Sequence, residues 1–223
     1  MNDELENFDD YVEDYEKLLK DQLSFFETDR DYFSAYKIDI LKRLLPKTPK
    51  KILDFGSGVG LSLPHFLSAF PDSALFATDI SKKSLDFVSK NVTDVTVIED
   101  DALEGQRFDL VFLSGVVHHV PPHEREPLMK RLKTLLSEEG HLAIFEHNPF
   151  NPVTRRMVAT CPFDKGVKLL TQNQMKTLLQ TAQLTVMKAD YCLFFPGFLK
   201  PLRPLESKLG WLPVGGQHFV IAK

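Results

Sequence analysis

Residues 52 to 60 read ILDFGSGVG: an apolar pair, an aspartate, an aromatic side chain, then three glycines among small residues. Glycines at this spacing let a backbone come close to a bound nucleotide. Asp54 narrows the choice of nucleotide. A carboxylate two residues before Gly56 would repel a pyrophosphate, so the loop suits a ligand whose tail is cationic. The dinucleotide fingerprint also asks for a third glycine where Leu61 stands, one place after Gly60. Asp79 lies 19 residues past Gly60 and suits ribose hydroxyls, which dinucleotides share. Asp79 alone cannot decide between ligands; Asp54 can.

The elements that must position these residues follow from periodicity. KKILDF is a short apolar run of the kind buried in a parallel sheet. After the glycines, LSLPHFLSAF reads as a helix with Pro64 in its first turn, where proline is tolerated. ALFATDIS is a second strand and SKKSLDFVSKN a helix with Ser81 as N-cap. VTVIEDD, FDLVFLSGVV and HLAIFEHN are three more strands, with a helix over HEREPLMKRLKTLLSEEG closed by Gly140. Past His147 the rhythm breaks into a long insertion. A helix over TQNQMKTLLQTAQL, a strand near VMKADYCLFF, a proline-rich stretch and a last strand QHFVIAK complete the chain. The expected fold is α/β: a doubly wound, mostly parallel seven-stranded sheet ending in an antiparallel hairpin. Met1 to Glu16 is densely charged and reads as partly disordered, and two or three helices are expected from Tyr11 to Leu45 as an N-terminal cover. One domain over 1–223 is expected, with a cover at 1–45, a nucleotide-binding core at 50–146 and insertions at 147–170 and 193–213.

The bulk numbers exclude several classes. The 223 residues carry 27 basic and 31 acidic side chains, a formal charge of -4, so no global basic field points to nucleic acid. Cys161 and Cys192 are the only cysteines and form no CxxC pair, which predicts no zinc site and a reducing compartment. No apolar run approaches the ~20 residues of a membrane span, and the acidic N-terminus is unlike a secretory signal. A cytoplasmic location is the expectation.

S-adenosylmethionine is an adenosine whose tail carries an ammonium and a sulfonium instead of phosphates, and Asp54 fits it. At LDFGSGVG the sequence resembles the class I S-adenosylmethionine-dependent methyltransferases, with a Rossmann-like sheet. The resemblance continues through ATDIS, EDDA, FDLVFLSGVVHHV and LSEEGHLAIFE, roughly Lys50 to Glu146. It implies that Asp54, Gly56, Ser57, Gly58 and Gly60 contact the methionine and ribose end. It further implies Asp79 on the ribose hydroxyls, Ile80 against adenine, and Asp101 with Ala102 at the adenine amino group. Ser114, Gly115 and Val116 would line the sulfonium. S-adenosylhomocysteine would be the product. The pair VVHHV is similar to that of small-molecule methyltransferases of the ubiquinone-biosynthesis type.

Methyl transfer is an in-line displacement on carbon, so alignment and exclusion of water come first and a base second. His118, His119 and His147 are the candidate bases, each just beyond a strand tip; each can equally be structural. Glu146 and Asn148 flank His147. Tyr32 and Lys37, on a probable N-terminal helix, are lid candidates. HNPF lacks the second proline of the Asn-Pro-Pro-aromatic motif of adenine and glutamine N-methyltransferases and follows the wrong strand, so nucleic-acid methylation is not expected. The apolar residues around Phe194, Phe198 and Trp211, mixed with Lys200, Arg203 and Lys208, fit a lid, a membrane-surface contact or a folded extension. The expected activity is methylation of a small, partly apolar acceptor, lipid-, sugar- or quinone-related. The rivals are a binding protein that keeps the cofactor without turnover and an NAD-dependent oxidoreductase.

Overall fold

The structure is a computed structural model that describes residues 27–161, 164 and 166–223. The expectations for Met1 to Glu16 and for helix before residue 27 lie outside the described residues. Seven strands form one sheet in the order β3-β2-β1-β4-β5-β7-β6. They are β1 (Lys51–Phe55), β2 (Ala74–Thr78), β3 (Val95–Val97), β4 (Phe108–Ser114), β5 (Leu136–His147), β6 (Val186–Cys192) and β7 (Gln217–Ala222). The first five pair in parallel, and β7 is antiparallel to both β5 and β6. The sheet and its terminal hairpin are thus those expected from the strand and helix periods.

Both faces of the sheet are covered, and strand alternation decides which side chain enters which layer. Leu53, Val111, Leu113, Leu142 and Ile144 face one cluster with Met129, Leu132, Met175 and Leu179. Ile52, Leu110, Phe112, Ala143 and Phe145 face the other, with Ile38, Leu41, Leu63 and Phe66. The first layer is closed by helices α4 (Arg125–Thr134) and α6 (Gln172–Thr181). The second is closed by α1 (Glu27–Leu44), α2 (Leu63–Ala69) and α3 (Lys82–Asn91). The caps are local chemistry. Ser81 accepts from the Ser84 amide at the start of α3, as expected, and Thr171 with Gln174 forms a reciprocal capping box on α6.

Two local readings are corrected. Helix α4 stops at Thr134 and β5 already begins at Leu136, so Gly140 lies inside a strand instead of ending a helix. A Cβ at Gly140 would stand 2.6 Å from the Phe108 carbonyl oxygen and 2.8 Å from the Ser137 nitrogen. The glycine lets the start of β5 fold tightly beside β4, where the pairing shifts between Phe108 and Leu110. Tertiary pairing overrides the helix preference of LSEEG. The second correction is a helix inside the first insertion, α5 (Pro152–Thr160), with Asn151 as its side-chain cap and Pro152 at its first position.

The strand order reverses direction at β1, whose neighbours are β2 and β4. At such a switch point the loops leave the strand ends in opposite directions and open a crevice. Here the crevice lies beyond Phe55 and Ser114.

Candidate active site

The loop after β1 turns on three glycines with positive φ, of 74° at Gly56, 53° at Gly58 and 81° at Gly60. Two of them are required by packing. A Cβ on Gly56 would come within 2.6 Å of Val116, and one on Gly60 within 2.7 Å of Leu63. At Gly58 a Cβ would meet nothing within 4 Å, so this glycine faces open space and its φ serves the loop's shape alone. Asp79, at the end of β2, accepts from the Gly58 amide at 2.8 Å and the Ser81 amide at 2.9 Å. It braces the loop from outside. Ile80 beside it is 78% exposed, an apolar side chain held at the crevice rim. Asp101 and Ala102 are exposed on the 3-10 turn Asp100–Leu103.

Asp54 is buried beneath this loop. Burial above all, and then the charge of Asp79, push its pKa up to about 7 against the opposing pull of Lys37. Lys37 reaches in from α1, buried, and donates to the Ser114 hydroxyl at 2.6 Å. Burial lowers its pKa, while Cys192, Glu146 and Asp54 work in the other direction. Ser114 and the half-buried Gly115 and Val116 form the facing wall of the crevice.

Beyond Val116 the chain makes a short 3-10 turn, Val117–His119, that carries both histidines. Glu146, 1% exposed at the end of β5, accepts from the Val117 amide at 2.7 Å and holds His118 Nδ1 at 2.6 Å. Burial alone would lower the His118 pKa; the Glu146 and Asp164 carboxylates reverse this and lift it to about 9. In return His118 draws Glu146 down to about 2 although burial opposes it. His119 and His147 are both pushed down to about 4, first by burial and next by the charge of His118. The three rings form one group: that of His118 lies 4.2 Å from His119 and 5.1 Å from His147 between centroids. Asp164 enters from the first insertion, its Oδ1 3.5 Å from Nε2 of both His118 and His119.

The insertion is stitched into place. Asn148 donates to the carbonyls of Pro213 and Gly215, Asn151 to Val214, and Thr154 to Gly216. Arg125 of α4 ties the histidine turn to the insertion, donating to the carbonyls of Val120 and Lys168. The two insertions therefore meet each other and the site. An open cleft of about 580 Å³ beside them is lined by Arg155, Val158, Cys161, Asp164, Val167 and Leu169, among others. Trp211 and Phe198, in the second insertion, are 74% and 83% exposed.

Residues 26–189 match the family model described as a methyltransferase domain. The chain belongs to this family. The S-adenosylmethionine-dependent methyltransferase of Archaeoglobus fulgidus has the same fold, with a TM-score of 0.67 at 18% identity over 92% of this chain and 99% of that one. PigF, solved with S-adenosylhomocysteine, superposes with a TM-score of 0.57 at 16% identity, covering 82% of this chain and 53% of PigF. Among curated relatives, the release factor glutamine methyltransferase of Flavobacterium psychrophilum is 34% identical over 118 residues, 49% of this chain and 37% of that protein. A tRNA N(3)-methylcytidine methyltransferase of Schizosaccharomyces pombe is 26% identical over 147 residues, 60% of this chain and 58% of that protein. The chain thus spans between about a third and three fifths of the curated relatives it matches.

The crevice of this methyltransferase has features that fit S-adenosylmethionine. The hydroxyls of Ser57 and Thr78 are buried without a hydrogen-bond partner among the described residues, and Gly58 offers a face that any side chain would obstruct. A pair of substitutions separates the roles of the glycines. Gly60→Ala is expected to destabilise the methyltransferase by about 2–3 kcal/mol, through strain at positive φ and the clash with Leu63. Gly58→Ala is expected to cost only about 1 kcal/mol of stability yet to weaken cofactor binding at least as much as Gly60→Ala. Thermal melts with and without S-adenosylhomocysteine check both; equal losses of stability at the two sites would mean that Gly58 is not the open face.

Sequence reasoning brought His118, His119 and His147 to one site and placed Lys37 and Glu146 near it. It missed Asp164. That residue stands 45 positions past His119 in an insertion whose only local signals were prolines and asparagines, and nothing in CPFD marks a carboxylate that returns to the histidines.

Proposed function

We propose that this methyltransferase modifies a small, partly apolar metabolite, of a lipid-, sugar- or quinone-related class, by in-line transfer. The observation that carries this reading is the cleft against Asp164: Val158, Val167 and Leu169 offer an apolar wall, and Arg155 a cation for an anionic or hydroxylated end. Bound in the crevice, S-adenosylmethionine supplies an electrophilic methyl group. Asp54 would receive the ammonium of the tail, and the turn 56–60, whose amides of Gly56, Ser57, Gly58 and Gly60 are already donated to Thr78, Asp79 and Ser57, would bring bare glycine backbone alongside the tail and ribose. Asp79 accepts from the ribose hydroxyls with its remaining lone pairs. Ile80 covers the adenine, and Asp101 with Ala102 meets its amino group. Ser114, Gly115 and Val116 border the reacting carbon. His118, His119 and His147 form the wall next to it; His119 and His147, kept uncharged by burial and by the charge of His118, can hold the acceptor hydroxyl and receive its proton, whereas His118, lifted to about 9, already carries one. Asn148 serves the wall indirectly, by fixing the second insertion over the first.

Two of the curated relatives act, by name, on a release factor glutamine and on a tRNA cytidine. Their acceptors are macromolecules, whereas a charge of -4 and a cleft that sets Val158, Val167 and Leu169 beside Arg155 and Asp164 support a small one here. The two cysteines form no CxxC pair, which suits the reducing cytoplasm. No helix among the described residues is long and apolar enough to cross a membrane. A peripheral contact is a different matter: Phe198, Leu202, Leu205, Trp211 and Val214 are exposed on the second insertion, with Lys200 and Lys208 among them. Apolar side chains beside lysines fit an anionic lipid surface, where a lipid-like acceptor would be found.

The test of the acceptor is methyl transfer from labelled S-adenosylmethionine into fractionated lipid, sugar-conjugate and quinone extracts. Label in one such fraction is expected; label only in protein or RNA would overturn the reading. For the contact, phosphatidylglycerol vesicles are expected to sediment the protein at low salt, and Phe198→Ser with Trp211→Ser to reduce the bound fraction several-fold. Equal recovery of the wild-type and double-variant proteins with the vesicles would remove the membrane surface from the proposal.

A further inference from the structure

His118 is unusual among the histidines for what its two nitrogens face. Glu146 accepts the Val117 amide and lies 2.6 Å from His118 Nδ1, and a carboxylate that already accepts cannot donate, so Nδ1 carries the hydrogen. That bond turns Nε2 the other way, toward Asp164. The side chain is 1% exposed, and Nε2 has no hydrogen-bond partner among the described residues. An imidazole fixed by a buried carboxylate on one nitrogen, with the other aimed at further ligands, is the orientation that a metal-binding histidine needs.

The neighbours match. His118 Nε2 and His119 Nε2 each lie 3.5 Å from the same Asp164 oxygen, and the three ligand atoms fall within 4.8 Å of one another. Ligands held about 2.0–2.1 Å from a tetrahedral zinc ion stand about 3.3 Å apart. Two edges of the triangle are therefore near that length, and the third lies within 4.8 Å. Neutral imidazoles with the Glu146 and Asp164 carboxylates bring two negative charges to a largely buried place. One proton on His118 matches one of them, with Lys37 and Arg125 acting on Glu146 from further off, whereas a divalent cation at the cluster matches both directly. A neutral cluster also avoids repelling the sulfonium that must approach Gly115, whose Cβ position is 3.6 Å from the His118 ring.

We propose that His118, His119 and Asp164 form a three-ligand site for a divalent transition-metal ion of the zinc class, with a fourth position open toward the cleft. Two imidazoles and one carboxylate, with a place left over, suit a reactive site more than a closed structural one. Asp164 also lines the cleft, so the open position takes a water or an oxygen of the acceptor. That role rests on the reading of the cleft as the acceptor site; the ion's presence does not. The cleft then selects acceptors with a hydroxyl, carboxyl or phosphoryl oxygen placed to reach the ion.

The experiment uses the full chain after treatment with a chelator, without cofactor or acceptor. Zn2+ is titrated by calorimetry, and Co2+ is followed by its visible ligand-field absorption. One ion per chain, a dissociation constant of about 10 µM or tighter and an intense tetrahedral Co2+ spectrum are expected. His119→Ala and Asp164→Asn should each weaken Zn2+ by tenfold or more, and Glu146→Gln by about 10- to 100-fold through the lost orientation of His118. His123→Ala, at an exposed histidine paired with Glu124, should change nothing. Circular dichroism of the metal-free variants confirms folding, and His119→Ala is chosen because that side chain is part-exposed. Binding weaker than about 100 µM, or affinities indifferent to all three site substitutions, would overturn the proposal and leave the cluster as an ion-pair network. Failure to find a methyl acceptor would bear on the function above and not on this site, because ion binding is read without turnover.

Discussion

Asp54→Asn is expected to bind S-adenosylhomocysteine about 10- to 100-fold more weakly while making the cofactor-free protein more stable at pH 8. Both effects come from one buried carboxyl. Its pKa lies at about 7 instead of the ordinary 3.8, raised first by burial and then by Asp79, with Lys37 the one cation opposing. A carboxyl with a raised folded-state pKa binds its proton more tightly in the fold than in the unfolded chain. Its contribution to stability is full below about pH 4 and is lost as pH rises through 7. Moving a carboxyl from 3.8 to about 7 corresponds to roughly 4 kcal/mol, an upper figure for what asparagine can recover above that pH. Cofactor binding runs the other way. An ammonium placed against Asp54 needs the ionised form, so the affinity of wild type should fall about tenfold per unit as pH drops below 7. The asparagine variant should lose that dependence along with the charge-assisted hydrogen bond, worth about 1.5–3 kcal/mol. Calorimetry at pH 5.5 and 8 and thermal melts of the cofactor-free proteins decide it. A variant that binds as tightly as wild type would move the ammonium elsewhere, and an unchanged melting point at pH 8 would mean that Lys37 already neutralises the carboxylate.

The parts of this molecule legible in the sequence are those set by short-range rules. Strand alternation sorted Leu53 from Ile52 and Val111 from Phe112 into the two layers, and Ser81 capped its helix as a serine there should. The glycine loop was legible because its glycines and Asp54 lie within seven residues of one another. Gly140 was misread because the signal for a helix end and the signal for a tight strand start are the same residue; only the carbonyl of Phe108 distinguishes them. The histidine wall was half legible. His118, His119 and His147 announce themselves at strand tips, but the geometry that differentiates them depends on Glu146 from β5 and Asp164 from the insertion. Neither has a fixed spacing to the histidines. Helix α5 was hidden for a similar reason: Asn-Pro opens a turn and caps a helix with equal ease, and the choice falls to contacts with residues 213–216.

Glu146→Ala is expected to lower stability by about 3–5 kcal/mol and Glu146→Gln by much less, while both reduce methyl transfer by about 10²-fold or more. The alanine variant strands two groups. The Val117 amide loses its acceptor inside the fold, and His118 loses the carboxylate that compensates its burial. For a chain of this size that cost corresponds to a fall in melting temperature on the order of 10 °C. Glutamine keeps an oxygen for the Val117 amide but turns an NH2 group toward His118 Nδ1, or the reverse; it cannot accept from both. If the oxygen stays on Val117, Nδ1 must give up its hydrogen, and the ring, charged in the wild type with its pKa lifted to about 9, becomes neutral with its one hydrogen on Nε2. The charge that the ring had offered to Asp164 and His119 is then lost. Glu146 is thus a positioning residue, and its effect on rate passes through His118. Nitrogen-15 shifts of the His118 side chain report the tautomer directly, and they should change in the glutamine variant while those of the exposed His123 do not. The double variant Glu146→Gln with His118→Asn should be no slower than the worse single variant, because each removes the same oriented ring. Additive losses would show that Glu146 acts on the reaction by a route independent of His118, and an active glutamine variant would show that the orientation of this ring is immaterial to the transfer.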